Sequence, residues 1–304
     1  MRFKFKNLFV SILISTRPKQ WTKNLLIYLP LLFSVNESWQ FLEISTIQPL
    51  LIKTSIIYVS FCMITGAVYI INDLLDLNQD KAHPVKSNRP IAAKTLSPNL
   101  AIITASFLFA FGIILAYLIN YKVVMALAFY IGLMISYSLI LKHYLYVDVL
   151  SISFGFVIRA LSGAFAVNIP VSTWLLICTG LGALLIAISK RRGELISNQT
   201  HSILQRPILA KYQIKRLDKI IPFIGFITII FYSIYALSAS NLPNNHLMLA
   251  TVPFVAYGVF RYVWIVIVNN KGENPEDIWF KDIHLISTIT LWIICSLFVL
   301  VSGR

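Results

Sequence analysis

Long unbroken apolar stretches, separated by short polar breaks, dominate this chain. Runs such as Ile102–Ile119 and Phe223–Ala239 carry no charged residue and are too long for strands. A membrane-spanning helix needs about 20 apolar residues. Nine candidate spans follow, at about 24–42, 50–71, 100–119, 123–141, 148–168, 172–189, 220–239, 247–268 and 284–301. A membrane barrel would alternate polar and apolar positions over about ten residues, which this pattern does not do. The expected fold class is an all-α integral membrane protein. Residues 1–304 read as one transmembrane domain, with 1–20 as an uncleaved amphipathic lead-in on the cytoplasmic side. Pro30, Pro222 and Pro253 fall inside spans, where they kink a helix and leave carbonyls for neighbouring helices to satisfy.

Composition agrees with this pattern. Only 12% of the 304 residues are charged, against about 25% in a soluble domain. Mean hydropathy is +0.76. The net charge of +14 would suggest nucleic acid on a soluble protein, but no basic stretch is interleaved with aromatics on a soluble module. Membrane orientation and anionic ligands account for it instead. With the N-terminus inside, 22 of the 26 Lys and Arg fall on the cytoplasmic side and three outside, while Arg159 lies within a span. The polar connections 72–99, 190–219 and 269–283 then face the cytoplasm of an inner-membrane protein. Cys62, Cys178 and Cys295 sit in apolar runs without a CxxC neighbour and read as small buried hydrophobes.

The first cytoplasmic connection carries the densest candidate chemistry. Asp73, Asp76 and Asp80 are spaced three and four apart, which stacks them on one face of a helix. Like charges so close call for a cation, and Mg²⁺ takes oxygen ligands while bridging to substrate phosphates. Asn72 can add a carbonyl oxygen, and Lys86 and Arg89 can neutralise phosphate. Lys190, Arg191, Arg192 and Glu194 form a mixed cluster near the end of the sixth span. Arg159 lies about three turns inside the fifth span, a costly place for a cation and so a functional candidate. Gly155, Ala160, Gly163 and Ala164 allow close helix packing there. Arg17 and Lys19 read as interfacial anchors, whereas Lys23 and Asn24 sit deeper and suit a ligand. Tyr137 and Lys142 precede the fifth span. His83, His143, His201, His246 and His284 show no metal-ligand spacing, and no Ser-His-Asp set or P-loop is present. The chain offers anion clamps and carboxylates, and no covalent nucleophile.

Taken in order, four segments resemble the UbiA superfamily of intramembrane prenyltransferases. They are RPKQWTKN, NDLLDLNQD with the following HPVKSNRPIAAKTLS, KRRGEL, and RYVWIVIVNNKGENPEDIWFKD from Arg261 to Asp282. Asn72, Asp73, Asp76 and Asp80 match the superfamily's aspartate-rich motif. Ordinary members carry a second such motif after the sixth helix; this chain has Lys190-Arg191-Arg192-Gly193-Glu194 there. The resemblance is therefore to the branch that moves a phosphoribosyl group onto polyprenyl phosphate. It implies Mg²⁺ with Asn72, Asp73, Asp76 and Asp80 as ligands to the leaving diphosphate, helped by Lys86 and Arg89. It implies Lys190 and Arg191 on the ribose 5-phosphate or the lipid phosphate, Glu194 on a ribose hydroxyl, and Lys23, Lys142 and Arg159 near the remaining phosphate. Tyr69 and Tyr137 would line the sugar site, and inversion at C1 is expected. Lys94 departs from the pattern, since glycine is expected there. Two other readings stand beside this one: prenyl transfer from prenyl diphosphate to an aromatic precursor, and ion transport. Partners on the main reading are phosphoribosyl diphosphate, polyprenyl phosphate and the bilayer, with no nucleic acid and with homo-oligomerisation left open.

Overall fold

The computed structural model describes residues 2–82, 85–170, 172–197, 207–239, 242–243 and 245–302. His83, His201 and the rest of 198–206 in the 190–219 connection therefore lie outside the described residues. A lead-in helix, α1 (Arg2–Ser15), precedes a 3-10 run over Pro18–Tyr28 and a short α2 (Leu29–Leu32). The remaining elements are α3 (Ile44–Leu75), α4 (Leu77–Lys81), α5 (Pro98–Tyr117), α6 (Tyr121–Leu139), α7 (Val147–Ala166) and α8 (Thr173–Ser197). After these come α9 (Ile214–Ser238), α10 (Val252–Ile267), α11 (Pro275–Lys281) and α12 (Ile283–Ser302). No strand occurs among the described residues.

Eight helical stretches are long and apolar enough to cross a membrane. The first expected span, 24–42, is not among them. Pro30 has no N–H to donate back to residue 26, so an α-helical bond is missing where that span should begin. The chain instead tightens into 3-10 turns, with the Leu29 N–H bonded to the Leu26 carbonyl. The 15 helical residues from Pro18 to Leu32 still rise about 28 Å at the usual 3-10 and α rises. They run from the Asp73 end of the bundle to the Leu300 end, where the Asn36 amide donates to the carbonyls of Leu300 and Val301.

Packing explains the glycines at close contacts. A Cβ on Gly163 would stand 2.0 Å from the Ile27 carbonyl oxygen, so α7 can touch the 3-10 run only without a side chain there. The buried layer between them holds Ile27, Phe61, Leu127, Tyr130 and Ile158. A second layer, around Leu185, Ile188, Leu217, Tyr262 and Val266, joins α8, α9 and α10. Outward faces carry Phe107, Phe129, Phe154, Trp264 and Phe298, all exposed. A bundle apolar on its outside as well as inside is built for lipid.

Candidate active site

Chain direction places the C-terminal ends of α3 and α8 and the start of α7 at one end of the bundle. Three groups of charged residues meet there.

Asp73 lies in the last turn of α3. It is 2% exposed, and its Oδ1 accepts from Arg17 Nη2 at 2.5 Å and from Arg89 Nη1 at 3.0 Å. The same Arg89 nitrogen reaches Asp80 Oδ2 at 2.7 Å. Asp73 and Asp80 thus already converge on a single cationic atom. Asp76 does not join them. The helix stops at Leu75, Asp76 caps it with φ −93° and ψ 9°, and α4 restarts beyond it. Its carboxylate turns to Lys142, at 3.4 Å. The expectation that all three acids share one helical face is therefore corrected: spacing of three and four gives one face only if the helix is continuous. Asn72 is half-buried on α3, beside Asp73, and its carbonyl accepts the Asp76 N–H. Lys86 is half-buried in a short turn before Arg89.

Arg17 is not an interfacial anchor. It holds φ 52° and ψ 68°, a left-handed conformation that costs a non-glycine residue, between α1 and the 3-10 run. That turn sends the guanidinium over the Tyr69 ring at 4.6 Å and onto Asp73. Lys94 shows φ 61°. The backbone keeps the conformation a glycine would take, and a lysine occupies it.

Deeper in the bundle, Arg159 is 6% exposed. Its Nε donates to Asn24 Oδ1 at 2.8 Å and its Nη2 to the Tyr130 hydroxyl at 2.7 Å. The guanidinium also lies over the rings of Tyr130 and Phe156. Asn24 in turn donates to Cys62 Sγ. Among the described residues Arg159 has no carboxylate partner. Lys23 is half-buried on the preceding position of the 3-10 run.

The KRRGEL segment is helical, the last turns of α8 and not a loop. Arg191 is 1% exposed, with Nε on Asp148 Oδ2 at 2.8 Å and Nη1 on Glu194 Oε2 at 2.5 Å. The Tyr212 hydroxyl donates to the other oxygen of Asp148 at 2.5 Å. Burial first, and this bond second, push the Tyr212 phenol above its ordinary pKa. Arg191 is thus paired with two protein carboxylates. Tyr137 is close enough to Arg191 to act on it electrostatically, and Lys190 is half-buried beside it. Arg192 also serves the fold: it pairs with Asp218 and donates to the Val266 and Ile267 carbonyls, closing the end of α10. A Cβ on Gly193 would come within 2.1 Å of the Glu273 nitrogen, so the loop after α10 rests directly on α8. Arg261 and Asp282, ends of the fourth motif, pair with each other at 2.8 Å, and that bond holds the Asp282 carboxyl below its usual range.

Sequence reading missed Arg17, Tyr130, Asp148 and Tyr212 as members of these clusters. The only signal was that a buried cation must find partners.

Among the described residues no three His, Cys, Asp or Glu side chains form a ready metal cage. The donor chemistry nonetheless fits Mg²⁺. Asp73 Oδ2 and Asp80 Oδ1 accept no hydrogen bond from the described residues. Mg²⁺ commonly takes one or two carboxylates and fills its other positions with substrate phosphate and water.

The fold is shared with solved structures. A UbiA homologue from Archaeoglobus fulgidus, bound to GPP and Mg²⁺, matches with a TM-score of 0.72 at 19% identity, over 96% of this chain and 99% of that one. Among curated proteins, the decaprenyl-phosphate phosphoribosyltransferase of Mycolicibacterium smegmatis is 29% identical over 95% of this chain and 92% of its own length. The protein of the same name from Corynebacterium glutamicum is also 29% identical, over 95% and 86%. Residues 45–286, the whole stretch from α3 into α12, match the UbiA prenyltransferase family, and the chain belongs to it.

Proposed function

We propose that this chain transfers a 5-phosphoribosyl group from 5-phosphoribosyl 1-diphosphate to a polyprenyl phosphate, releasing diphosphate with inversion at C1. The observation that carries the reading is the burial of Arg191 between Asp148 and Glu194. That internal cation occupies the end of α8, so the acids of residues 73–80 are the ones left to hold a metal. Two relatives named for phosphoribosyl transfer to decaprenyl phosphate, similar along nearly the whole chain, support the same choice.

The residues divide the work as follows. Asp73 and Asp80 hold the metal; Mg²⁺, when bound, supplies Lewis-acid neutralisation of the departing diphosphate. Arg17, Arg89 and Lys86 neutralise the remaining diphosphate oxygens. Asp76 and Lys142 close that side of the site. Lys23, Asn24 and Arg159 draw a phosphate toward the bundle interior, where a cation without a carboxylate raises the local potential. Glu194, at 19% exposure the most accessible acid of its cluster, accepts from a ribose hydroxyl. Arg191 positions Glu194, while Tyr69 and Tyr137 flank the sugar. The lipid phosphate is already anionic at neutral pH. One of its oxygens bonds to C1 as the bond from C1 to the diphosphate oxygen breaks, and no general base is needed. Electrostatic stabilisation of the leaving group is then the main catalytic term. The 22-to-3 distribution of cations supports an inner-membrane protein with its N-terminus and this site in the cytoplasm.

The test offers labelled phosphoribosyl diphosphate with a short polyprenyl phosphate, and separately labelled prenyl diphosphate with 4-hydroxybenzoate. Mass spectrometry is expected to find a phosphoribosylated lipid phosphate in the first reaction alone. Product only in the second would replace this reading with prenyl transfer.

A further inference from the structure

Each carboxylate of the acidic loop is already held by a cation of the chain. Arg17 and Arg89 share Asp73, Arg89 also holds Asp80, and Lys142 holds Asp76. Three acids and three bases sum to zero charge. This balance is unlike an ordinary divalent-metal site, where uncompensated carboxylates create the attraction. A bare Mg²⁺ entering here would meet two guanidiniums within bonding distance of its own ligands. At such distances and in a partly desolvated site, each guanidinium repels a bare divalent cation strongly. A metal that arrives chelated to a diphosphate brings net negative charge instead, and offers the same guanidiniums the oxygens they prefer.

We propose that Arg17 and Arg89 form a counter-ion lock on Asp73 and Asp80 that admits the divalent cation only as its diphosphate complex. On binding, both guanidiniums pass from carboxylate to phosphate oxygens, and the freed carboxylates take the metal. Two further features fit this exchange. Both arginines are partly exposed, at 30% and 25%, so their release needs no opening of the core. Arg17 is also held in a left-handed backbone conformation, with its guanidinium resting on the face of Tyr69. The strained turn aims Arg17 at one oxygen, and the ring gives the guanidinium a surface along which to shift. The lock rests on the reading that a diphosphate donor uses this site, and it adds the order of assembly. Metal and diphosphate bind cooperatively, and Arg17 sets the coupling.

The test uses the purified full chain, Mn²⁺ as a spectroscopic probe and inorganic diphosphate, with no lipid or sugar. Bound Mn²⁺ is counted by electron paramagnetic resonance. Wild-type protein is expected to bind Mn²⁺ at least about tenfold more tightly with diphosphate than without it. Arg17→Met should tighten binding of Mn²⁺ alone by about tenfold and shrink the coupling, because one competing charge is gone. Arg17→Lys should restore weak binding of the lone metal. Equal wild-type affinity with and without diphosphate overturns the lock, and that measurement needs no variant. Unchanged or weaker Mn²⁺ binding in Arg17→Met overturns the role of Arg17, with Arg89→Met as the parallel case. Turnover is not read in this titration. A failure of the phosphoribosyl assignment would appear in the lipid product, and a failure of the lock would appear here.

Discussion

Two ion-paired clusters sit side by side at one end of the bundle, and water separates their behaviour. In the acidic loop, the buried carboxylates of Asp73 and Asp80 are held by arginines that remain 25–30% exposed. At the end of α8, Arg191 and Asp148 are each 1% exposed. A cation that is partly exposed can trade its carboxylate for water or for another anion at little cost. A buried pair cannot lose one member without stranding the other. The first cluster is therefore exchangeable and suits ligand binding. In the second, the Arg191–Asp148 pair is architecture, and Glu194 is its one partly exposed acid.

The strongest break in this contrast would come from Arg191→Met. It strands Asp148 in the core, and the expected loss is about 3–5 kcal/mol of stability, read as a large fall in melting temperature in detergent. Adding Asp148→Asn should recover much of that loss. A single variant that melts like wild type would show that Arg191 is not a structural ion. Next in size is Asp73→Asn, expected to cut turnover by about 10²–10³-fold, the usual cost of removing a group that stabilises developing charge. Its melting temperature should move little, because Arg17 and Arg89 can turn to solvent. Near-normal turnover there would remove the acidic loop from the chemistry. The smallest change expected is from Lys94→Gly. Relief of the left-handed strain should add about 1 kcal/mol of stability without altering turnover. No gain in melting temperature would mean that the surrounding loop has adapted to the lysine.

Much of this was legible in the chain itself. Apolar run length marked the membrane helices, since nothing else satisfies the backbone in lipid. The acids of 72–80 announced a need for cations, and Arg159 announced a need for buried partners by the cost of burying it. The resemblance correctly singled out Lys94 as a position where the backbone expects glycine. The failures share one physical origin. Asp76 left its neighbours because a helix ended, which spacing alone does not reveal. Arg17 reached Asp73 across 56 residues, and Arg191 found Asp148 across 43. A sequence shows that a charge needs a partner, but the partner is chosen by packing. In the KRRGE cluster, the carboxylates that pair with Arg191 and Arg192 come from Asp148, Glu194 and Asp218, two of them distant in sequence. Over 24–42, where a regular span was expected, 3-10 turns lead into Pro30 instead.

The segment between α6 and α7 ties these two regions together. Lys142 grips Asp76 in the loop, and six residues later Asp148 grips Arg191. A chimera that borrows the acidic loop from a relative is expected to work best with that relative's residues 141–148, which carry the acid that matches the cation of α8. Substrate preference in such proteins should therefore change in blocks of positions, with the shortest block set by this connection.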